Sequence, residues 1–224
     1  MTRAIVTRWW WIRHAPVTND GGRLYGQRDM AADVSDDRAF RALAAGLPEG
    51  AVWLTTHLQR TRQTATAIRN AGLDAGEPAV VTDLVEQGFG EWQGQLRTEL
   101  FAEQFRFPGF WHAPVWDAPP GGESFEDLSK RVTAAVARLT AMHAGRDIIA
   151  VTHGGTIRAA VAQALRLPLD AAHALVFENL SVTRVEHYAD PETGRVVWRT
   201  PHINLPPAAL QPRKPTAKAE TAAR

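Results

Sequence analysis

Two histidines in this sequence each follow an apolar run, at the point where a buried strand would end. His14 comes after Trp9–Ile12 and the adjacent Arg13, and His153 directly follows Asp147–Thr152. A histidine after one strand is often structural, so His14 alone is weak evidence of chemistry. The carboxyl ends of parallel strands form a common ligand crevice, so two such strands bring both imidazoles into one pocket. We therefore expect His14 and His153 to share a site.

A pocket with two histidines could hold a metal ion or perform nucleophilic chemistry. Metal sites favour spacings such as H-x-H or H-E-x-x-H, and neither occurs in this sequence. A nucleophilic imidazole instead needs groups beside it that hold an anion. Arg13 adjoins His14, and a third apolar run, Ala51–Thr55, leads through a short turn to Arg60. Arginine suits phosphate because its planar guanidinium donates paired hydrogen bonds. The sequence therefore favours phosphate chemistry, although Arg60 alone would also fit a solvated helix.

The elements that must position these residues alternate between short apolar runs and amphipathic segments. The pattern predicts strands at Trp9–Ile12, Ala51–Thr55, Val80–Thr82 and Asp147–Thr152, and helices over Asp36–Ala45, Leu58–Ala71, 124–142 and Thr156–Leu165. Strands that are continuously apolar indicate a mostly parallel sheet covered on both faces. The predicted fold is therefore an α/β three-layer sandwich. Near the end, Leu180–Tyr188 and Arg195–Arg199 are expected to form a hairpin of edge strands.

The clearest helix begins at Ser124, which forms a capping-box pattern with Asp127. Glu123 and Ser124 are both expected to cap it. Upstream, residues 92–122 are rich in Trp, Phe and Pro and lack periodicity. Such a stretch predicts a cap over a site.

Composition excludes several classes of function. The chain has 224 residues and no cysteine, so disulfides, thiolate nucleophiles and cysteine-based metal sites are ruled out. No apolar run approaches the roughly 18 residues of a membrane span, and no signal-peptide pattern is visible, so we expect a cytoplasmic protein without a membrane partner. Residues 1–205, predicted to be one domain, have a net charge of −2, which argues against nucleic-acid binding. The proline-rich basic tail, 206–224, is predicted to be disordered.

Beyond the two histidines, five short motifs follow one another along the chain. They are Arg13-His14 after the first strand, Leu58-x-Arg60-Thr-x-Gln63-Thr-Ala65 at the start of a helix, Asp83-Leu84-x-Glu86 with Gly88-Phe-Gly90-x-Trp92-x-Gly94, Gly121-Gly-Glu-Ser124 before the long helix, and Val151-Thr-His153-Gly154-Gly155. Together they resemble the histidine phosphatase superfamily, the phosphoglycerate-mutase-like group, over nearly all of residues 9–205. The resemblance implies a phosphoglycerate-mutase-like fold and phosphoryl transfer through a phosphohistidine, with no metal ion or cofactor.

The resemblance also implies roles for the phosphate site. His14 would attack the phosphorus of a phosphomonoester, and water would later hydrolyse the covalent intermediate. Arg13, Arg60 and His153 would hold the phosphoryl oxygens, with Gly154 also binding substrate.

Two acidic residues compete for the role of general acid. Glu86 holds the family position after Asp83-Leu84 and is the preferred candidate, protonating the leaving alkoxide and later activating water. Glu91 is the rival carboxylate.

The sequence departs from the family pattern at two places. The usual Arg-His-Gly reads Arg13-His14-Ala15, a small-for-small change that is tolerated unless Ala15 needs a positive φ. The Asn that commonly follows the catalytic histidine by six residues is replaced by Asp20, with Asn19 one residue earlier. Either a one-residue loop shift brings Asn19 to the phosphate, or one phosphate donor is missing.

The predicted function is hydrolysis of a small phosphorylated metabolite. A phosphoglycerate-type mutase is the nearest alternative, but it would need basic cap residues for a second anionic group, and the sequence offers only Arg97 and Arg106. A catalytically inactive phosphate-binding or scaffold protein is the alternative from another class. Asn179 and Ser181 are expected to orient a strand, and the sequence is compatible with a homo-oligomer.

Overall fold

The fold is a single six-stranded sheet with helices on both faces. The computed structural model describes residues 3–104 and 115–213, with residues 101–104 described by their backbone alone. The strands are β1 (Ile5–Arg13), β2 (Val52–Thr55), β3 (Ala79–Val80), β4 (Asp147–Thr152), β5 (Val182–Ala189) and β6 (Val196–Leu205). The helices are α1 (Asp37–Gly46), α2 (Gln59–Asn70), α3 (Arg97–Gln104), α4 (Phe125–Met142), α5 (Gly154–Leu165) and α6 (Leu169–Ala172). None of these helices is long and apolar enough to cross a membrane.

The strand order is β3-β2-β4-β1-β5-β6. The first four strands are mutually parallel, and β5 and β6 continue the sheet as an antiparallel hairpin. This confirms the predicted α/β fold with a mostly parallel sheet. The prediction that both hairpin strands lie at the edge is wrong for β5, because it pairs along eight residues with β1 and leaves only β6 outermost.

The central strand β1 is apolar on both faces because helices cover both. Trp9 and Trp11 stack with ring centroids 4.5 Å apart and pack in the cluster that includes α4 and α5. Trp10 and Ile12 point to the opposite face, into the cluster that includes α1 and α2. The continuous apolar run is therefore the sequence signature of a strand buried from both sides.

The observed bounds of one helix and one strand differ from the predicted bounds. Helix α5 begins at Gly154 rather than Thr156. Glycine has low helix propensity. The first turn of α5 nevertheless starts with two glycines, because the side chains of Arg13 and Glu86 lie close to the backbone there. The third strand is only Ala79–Val80, and Thr82–Leu84 forms a 3-10 turn instead of continuing the strand.

The start of the predicted disordered tail is wrong, because residues 206–213 are ordered against α1. Pro207–Ala209 form a 3-10 turn. Arg213 then donates hydrogen bonds to the carbonyls of Ala44 and Leu47, at 2.6 and 2.7 Å, and pairs with Glu49. A cation at a helix C-terminus satisfies carbonyls that have no partner within the helix. Residues 214–224, and residues 105–114 of the predicted cap, lie outside the described part of the chain.

Helix α4 begins with the predicted capping box. The Ser124 hydroxyl accepts from the Asp127 N–H at 3.0 Å, and the Asp127 carboxylate accepts from the Ser124 N–H at 3.1 Å. Glu123 does not cap the helix. Its carboxylate pairs with Arg131 and accepts from the Gly88 N–H.

The cap gives a stability prediction for α4. Replacing Ser124 with Ala removes an N-cap hydrogen bond and should lower the free energy of unfolding by about 1 kcal/mol, measured by urea denaturation. Thr133→Ala, at an exposed position in the middle of the same helix, is the control. It should leave stability unchanged or slightly higher because Ala favours helix. Equal losses in both variants would contradict the capping argument.

Candidate active site

The two histidines meet because β1 and β4 are parallel neighbours. Arg13 lies opposite Thr152 in the register, and the backbone N–H of His14 donates to the Thr152 carbonyl at 2.9 Å. His14 and His153 therefore leave adjacent strands at the same edge, and their ring centroids are 5.3 Å apart. Both side chains are buried.

His14 is held in one tautomer. Its Nδ1 lies 2.7 Å from the carbonyl oxygen of Ala15, and because a carbonyl only accepts, Nδ1 must donate. The lone pair is thus on Nε2, the atom left to act as a nucleophile. Burial, followed by the positive charge of Arg60, lowers the pKa of His14 to about 3. The ring is therefore neutral at physiological pH.

Three buried nitrogens around His14 have no hydrogen-bond partner among the described residues. They are Nε of Arg13, Nε of Arg60 and Nδ1 of His153. Buried polar groups in proteins are nearly always satisfied. Other buried atoms of this structure share the state, but these three belong to neighbouring side chains, where one ligand would satisfy all of them. Two guanidinium N–H groups and an imidazole nitrogen together fit an anion with several acceptor oxygens, such as phosphate.

The arginine side chains are fixed by backbone carbonyls rather than by carboxylates. Arg60 is fully buried at the start of α2 and donates to the carbonyls of Arg28, at 2.8 Å, and Gly26, at 2.6 Å. Arg13 donates through Nη1 to the Phe177 carbonyl. Carbonyl acceptors orient a guanidinium without cancelling its charge, so the positive charge stays available to a ligand.

His153 and Thr56 form a pair that the sequence did not single out. Thr56 Oγ1 lies 3.1 Å from Nε2 of His153, which leaves Nδ1 as the nitrogen without a partner. Burial, then the charge of Arg60, lowers the pKa of His153 well below its ordinary value. Its resting state is therefore also neutral.

Glu86 sits against the N-terminus of α5. Its Oε1 accepts from the backbone N–H groups of Gly155, at 3.1 Å, and Gln87, at 3.0 Å, whereas Oε2 has only a 3.5 Å contact with Gly155. A Cβ at Gly155 would overlap Oε1, so this approach needs glycine. Glu86 also favours the charged form of Arg60. The rival Glu91 is exposed in the turn Gly90–Trp92.

Of the remaining predicted positions, Gly154 lies beside Arg13, whereas Asp20 and Asn19 make no such contact in the described residues. Gly154 lies against Arg13, since a Cβ there would be 3.6 Å from Nε of that guanidinium. Asp20 is engaged elsewhere, with Oδ2 2.9 Å from Arg97 and Oδ1 accepting from the Gly22 N–H. Asn19 is exposed, adopts a left-handed backbone (φ 65°) and makes no side-chain hydrogen bond to the described residues. Its membership of the site stays a prediction.

The two residues Asn179 and Leu180, just before β5, hold the backbone of Arg13 and His14. Asn179 donates its side-chain amide to the His14 carbonyl at 2.7 Å, and the Leu180 N–H donates to the Arg13 carbonyl at 2.9 Å. Ala15 is buried without a positive φ, and its N–H donates to Thr64 Oγ1 at 2.9 Å. The alanine is therefore compatible with the backbone at this position.

The comparisons with known proteins agree with this arrangement. Residues 9–198 match the family model for the histidine phosphatase superfamily, branch 1. The chain belongs to this superfamily.

Relatives within the superfamily include several phosphatases. The chain is 32% identical over 172 residues to glucosyl-3-phosphoglycerate phosphatase of Mycolicibacterium vanbaalenii, covering 71% of this chain and 74% of that protein. It is 33% identical over 156 residues to a bifunctional protein of Mycobacterium tuberculosis, covering 67% of this chain but only 41% of that protein. The solved complex of a mycobacterial glucosyl-3-phosphoglycerate phosphatase with inorganic phosphate has a TM-score of 0.72 at 26% identity, covering 92% of this chain and 99% of that one.

Potential metal ligands do not cluster in the described residues, 3–104 and 115–213. No group of three or more His, Asp or Glu side chains there is placed to hold a metal ion.

The geometry of His14 gives a spectroscopic prediction. In long-range ¹H–¹⁵N spectra, His14 should show the neutral Nδ1–H tautomer, unchanged between pH 8 and pH 5, because burial opposes its protonation. A histidine in a short peptide, with a pKa near 6.5, is the reference and becomes largely protonated over the same range. Comparison with His14→Gln assigns the signals. A titration of His14 near pH 6.5, or an Nε2–H tautomer, would contradict the analysis.

Proposed function

We propose that this protein is a metal-independent phosphomonoester hydrolase that acts on a small phosphorylated metabolite through a phosphohistidine on His14. The observation that carries the proposal is that His14 is neutral with its lone pair on Nε2, and that its neighbours Arg13, Arg60 and His153 each keep a buried nitrogen with no partner among the described residues. A lone pair next to unfilled anion donors supports attack on phosphorus rather than simple anion binding.

In the first step, Nε2 of His14 forms a bond to phosphorus as the ester P–O bond breaks. The bonding electrons leave with the ester oxygen, which takes a proton from Glu86. Oε2 suits this transfer because Oε1 is held by two backbone N–H groups. Positive charge that develops on the imidazole is stabilised by the Nδ1–H bond to the Ala15 carbonyl. Arg13, Arg60 and His153 would hold the equatorial oxygens.

In the second step, water attacks the phosphohistidine. Glu86, now a carboxylate, accepts a proton from that water, and the N–P bond breaks to release inorganic phosphate. The electron pair of that bond returns to Nε2, so His14 regains its neutral form. General acid–base assistance of this kind contributes about 10²–10⁴-fold.

Hydrolysis is favoured over a mutase reaction by the charge around the site. A phosphoglycerate-type mutase would need free cations for a second anionic group, and Arg97 is already paired with Asp20. A catalytically inactive phosphate-binding protein would share the three nitrogens, so turnover separates it from the proposed enzyme. The substrate class we propose, a small phosphorylated metabolite, is supported by a relative named as a glucosyl-3-phosphoglycerate phosphatase.

The first test is trapping of a phosphoenzyme with excess EDTA in every reaction. Brief incubation with a ³²P-labelled phosphomonoester should give an acid-labile, base-stable label, and His14→Ala should abolish both the label and turnover. His153→Ala should retain the label but lower turnover about 10²–10³-fold, the cost of removing one charge-stabilising donor. Label on His153 in the protein with His14 intact would reverse the two roles, and loss of activity with EDTA would overturn metal independence.

The second test addresses the general acid. Glu86→Gln should slow enzyme phosphorylation by about 10²-fold or more for alkyl phosphates, whose leaving alkoxide needs a proton, and much less for nitrophenyl phosphate. Glu91→Gln, in an exposed turn, is the matched control and should behave like the parent protein. Leaving-group sensitivity in Glu91→Gln but not in Glu86→Gln would assign the acid to the other carboxylate.

A further inference from the structure

One arginine outside the phosphate site binds the loop that leads to Glu86. Arg131 lies in α4, and its Nη1 donates to the carbonyls of Asp83, at 3.0 Å, and Val85, at 2.8 Å. Its Nη2 donates to the carbonyl of Glu86 itself at 3.0 Å. A single guanidinium thus fixes three of the four carbonyls between residues 83 and 86.

Glu123 holds the same guanidinium from the other side. Its carboxylate accepts from Nε of Arg131, at 3.0 Å, and from Nη2, and it also accepts from the Gly88 N–H at 2.8 Å. The Glu123 backbone exchanges two further bonds with this loop, from its N–H to the Gly88 carbonyl and from Gln87 Nε2 to its own carbonyl. The loop 83–88 is therefore tied at both ends to the start of α4 by a half-buried ion pair.

The remaining contacts show what this pair controls. Among the described residues, the Glu86 carboxylate accepts hydrogen bonds from two backbone N–H groups, that of Gly155 in α5 and that of its own neighbour Gln87. Its position therefore depends on where the backbone of the loop lies. Among the described residues, Gln27 also donates to the Glu86 carbonyl, at 2.8 Å, and Thr156 donates its hydroxyl to the Val85 carbonyl, at 3.1 Å.

We infer that Arg131, oriented by Glu123, is a positioning residue that keeps the Glu86 carboxylate at proton-transfer distance from the leaving group. The inference rests on the proposed function, because it assigns Arg131 no contact with substrate and attributes its leaving-group-selective effect to Glu86. The charge of Arg131 also helps to lower the pKa of His153, and an effect through His153 would be shared by both kinds of ester. Misplacement of a catalytic group by about 1 Å can cost on the order of 10²-fold. Loss of Arg131 should therefore slow the phosphorylation step, in which Glu86 protonates the leaving alkoxide.

A second arginine of α4 provides a matched control. Arg138 also pairs with the loop, through the Asp83 carboxylate at 2.8 Å, but both partners are about half exposed and no backbone carbonyl near Glu86 is involved. An exposed pair of this kind contributes little to stability. Arg138→Met therefore removes an arginine from the same helix and the same loop without releasing Glu86.

The experiment compares phosphorylation rates for alkyl and nitrophenyl phosphates in Arg131→Met, Arg138→Met and Glu86→Gln proteins. Arg131→Met should lower the alkyl rate about 10- to 100-fold and change the nitrophenyl rate by less than about 3-fold. Arg138→Met should leave both rates unchanged. In the Glu86→Gln background, Arg131→Met should cause no further loss, because residues that act as one unit are not additive.

The outcomes separate this inference from the proposed function. Equal loss on both esters, or a full additional loss in the Glu86→Gln background, would show that Arg131 has a merely structural role and would overturn the inference alone. If Glu86→Gln itself shows no leaving-group dependence, the acid assignment fails, and the role of Arg131 fails with it. Should Arg131→Met not fold, Glu123→Gln provides a second variant, because it removes the charge that orients the guanidinium. It should also lower the phosphorylation rate with alkyl phosphates more than that with nitrophenyl phosphate, but by a smaller factor than Arg131→Met.

Discussion

The parallel pairing of β1 with β4 is the constraint on which the site depends. The strands are in register up to Arg13 and Thr152, so the chain leaves the sheet twice at one level, each time with a histidine as the next residue. Helices on both faces bury the strand ends, and burial keeps both imidazoles neutral. The apolar core thus determines the protonation state of His14 as well as its place.

The candidate site combines a buried arginine, Arg60, and a partly buried one, Arg13, with backbone acceptors. Arg13 and Arg60 have carbonyl partners, and carbonyls orient a guanidinium without supplying the negative charge that would neutralise it. Burying such cations costs free energy, which is regained when an anion binds. A site arranged in this way is preorganised for negative charge, the electrostatic condition for stabilising a phosphoryl group in transfer.

Residue types and strand ends were sufficient to predict the fold and the meeting of His14 with His153 at one edge of the sheet. His14 and His153 follow apolar runs, and Arg60 opens a helix after a third, so topology brought them together. The contacts that hold these groups could not be predicted, because most of them end on backbone atoms. Thr56 and Arg131 have ordinary local sequences, and their contacts are with carbonyls and rings that are distant in the chain. Arg213 was assigned to the tail for the same reason, since its partners are the last carbonyls of α1.

The two neutral histidines make folding sensitive to acid. In the unfolded chain a histidine binds a proton below a pH of about 6.5, whereas folded His14 does so only near pH 3. Between these values unfolding takes up a proton at His14, and the depressed pKa of His153 adds a second uptake. The contribution to stability is complete above pH 6.5 and falls, for each histidine, by on the order of 1 kcal/mol per pH unit as the solution becomes more acidic. The proton uptake that accompanies unfolding therefore reports how deeply His14 and His153 are buried.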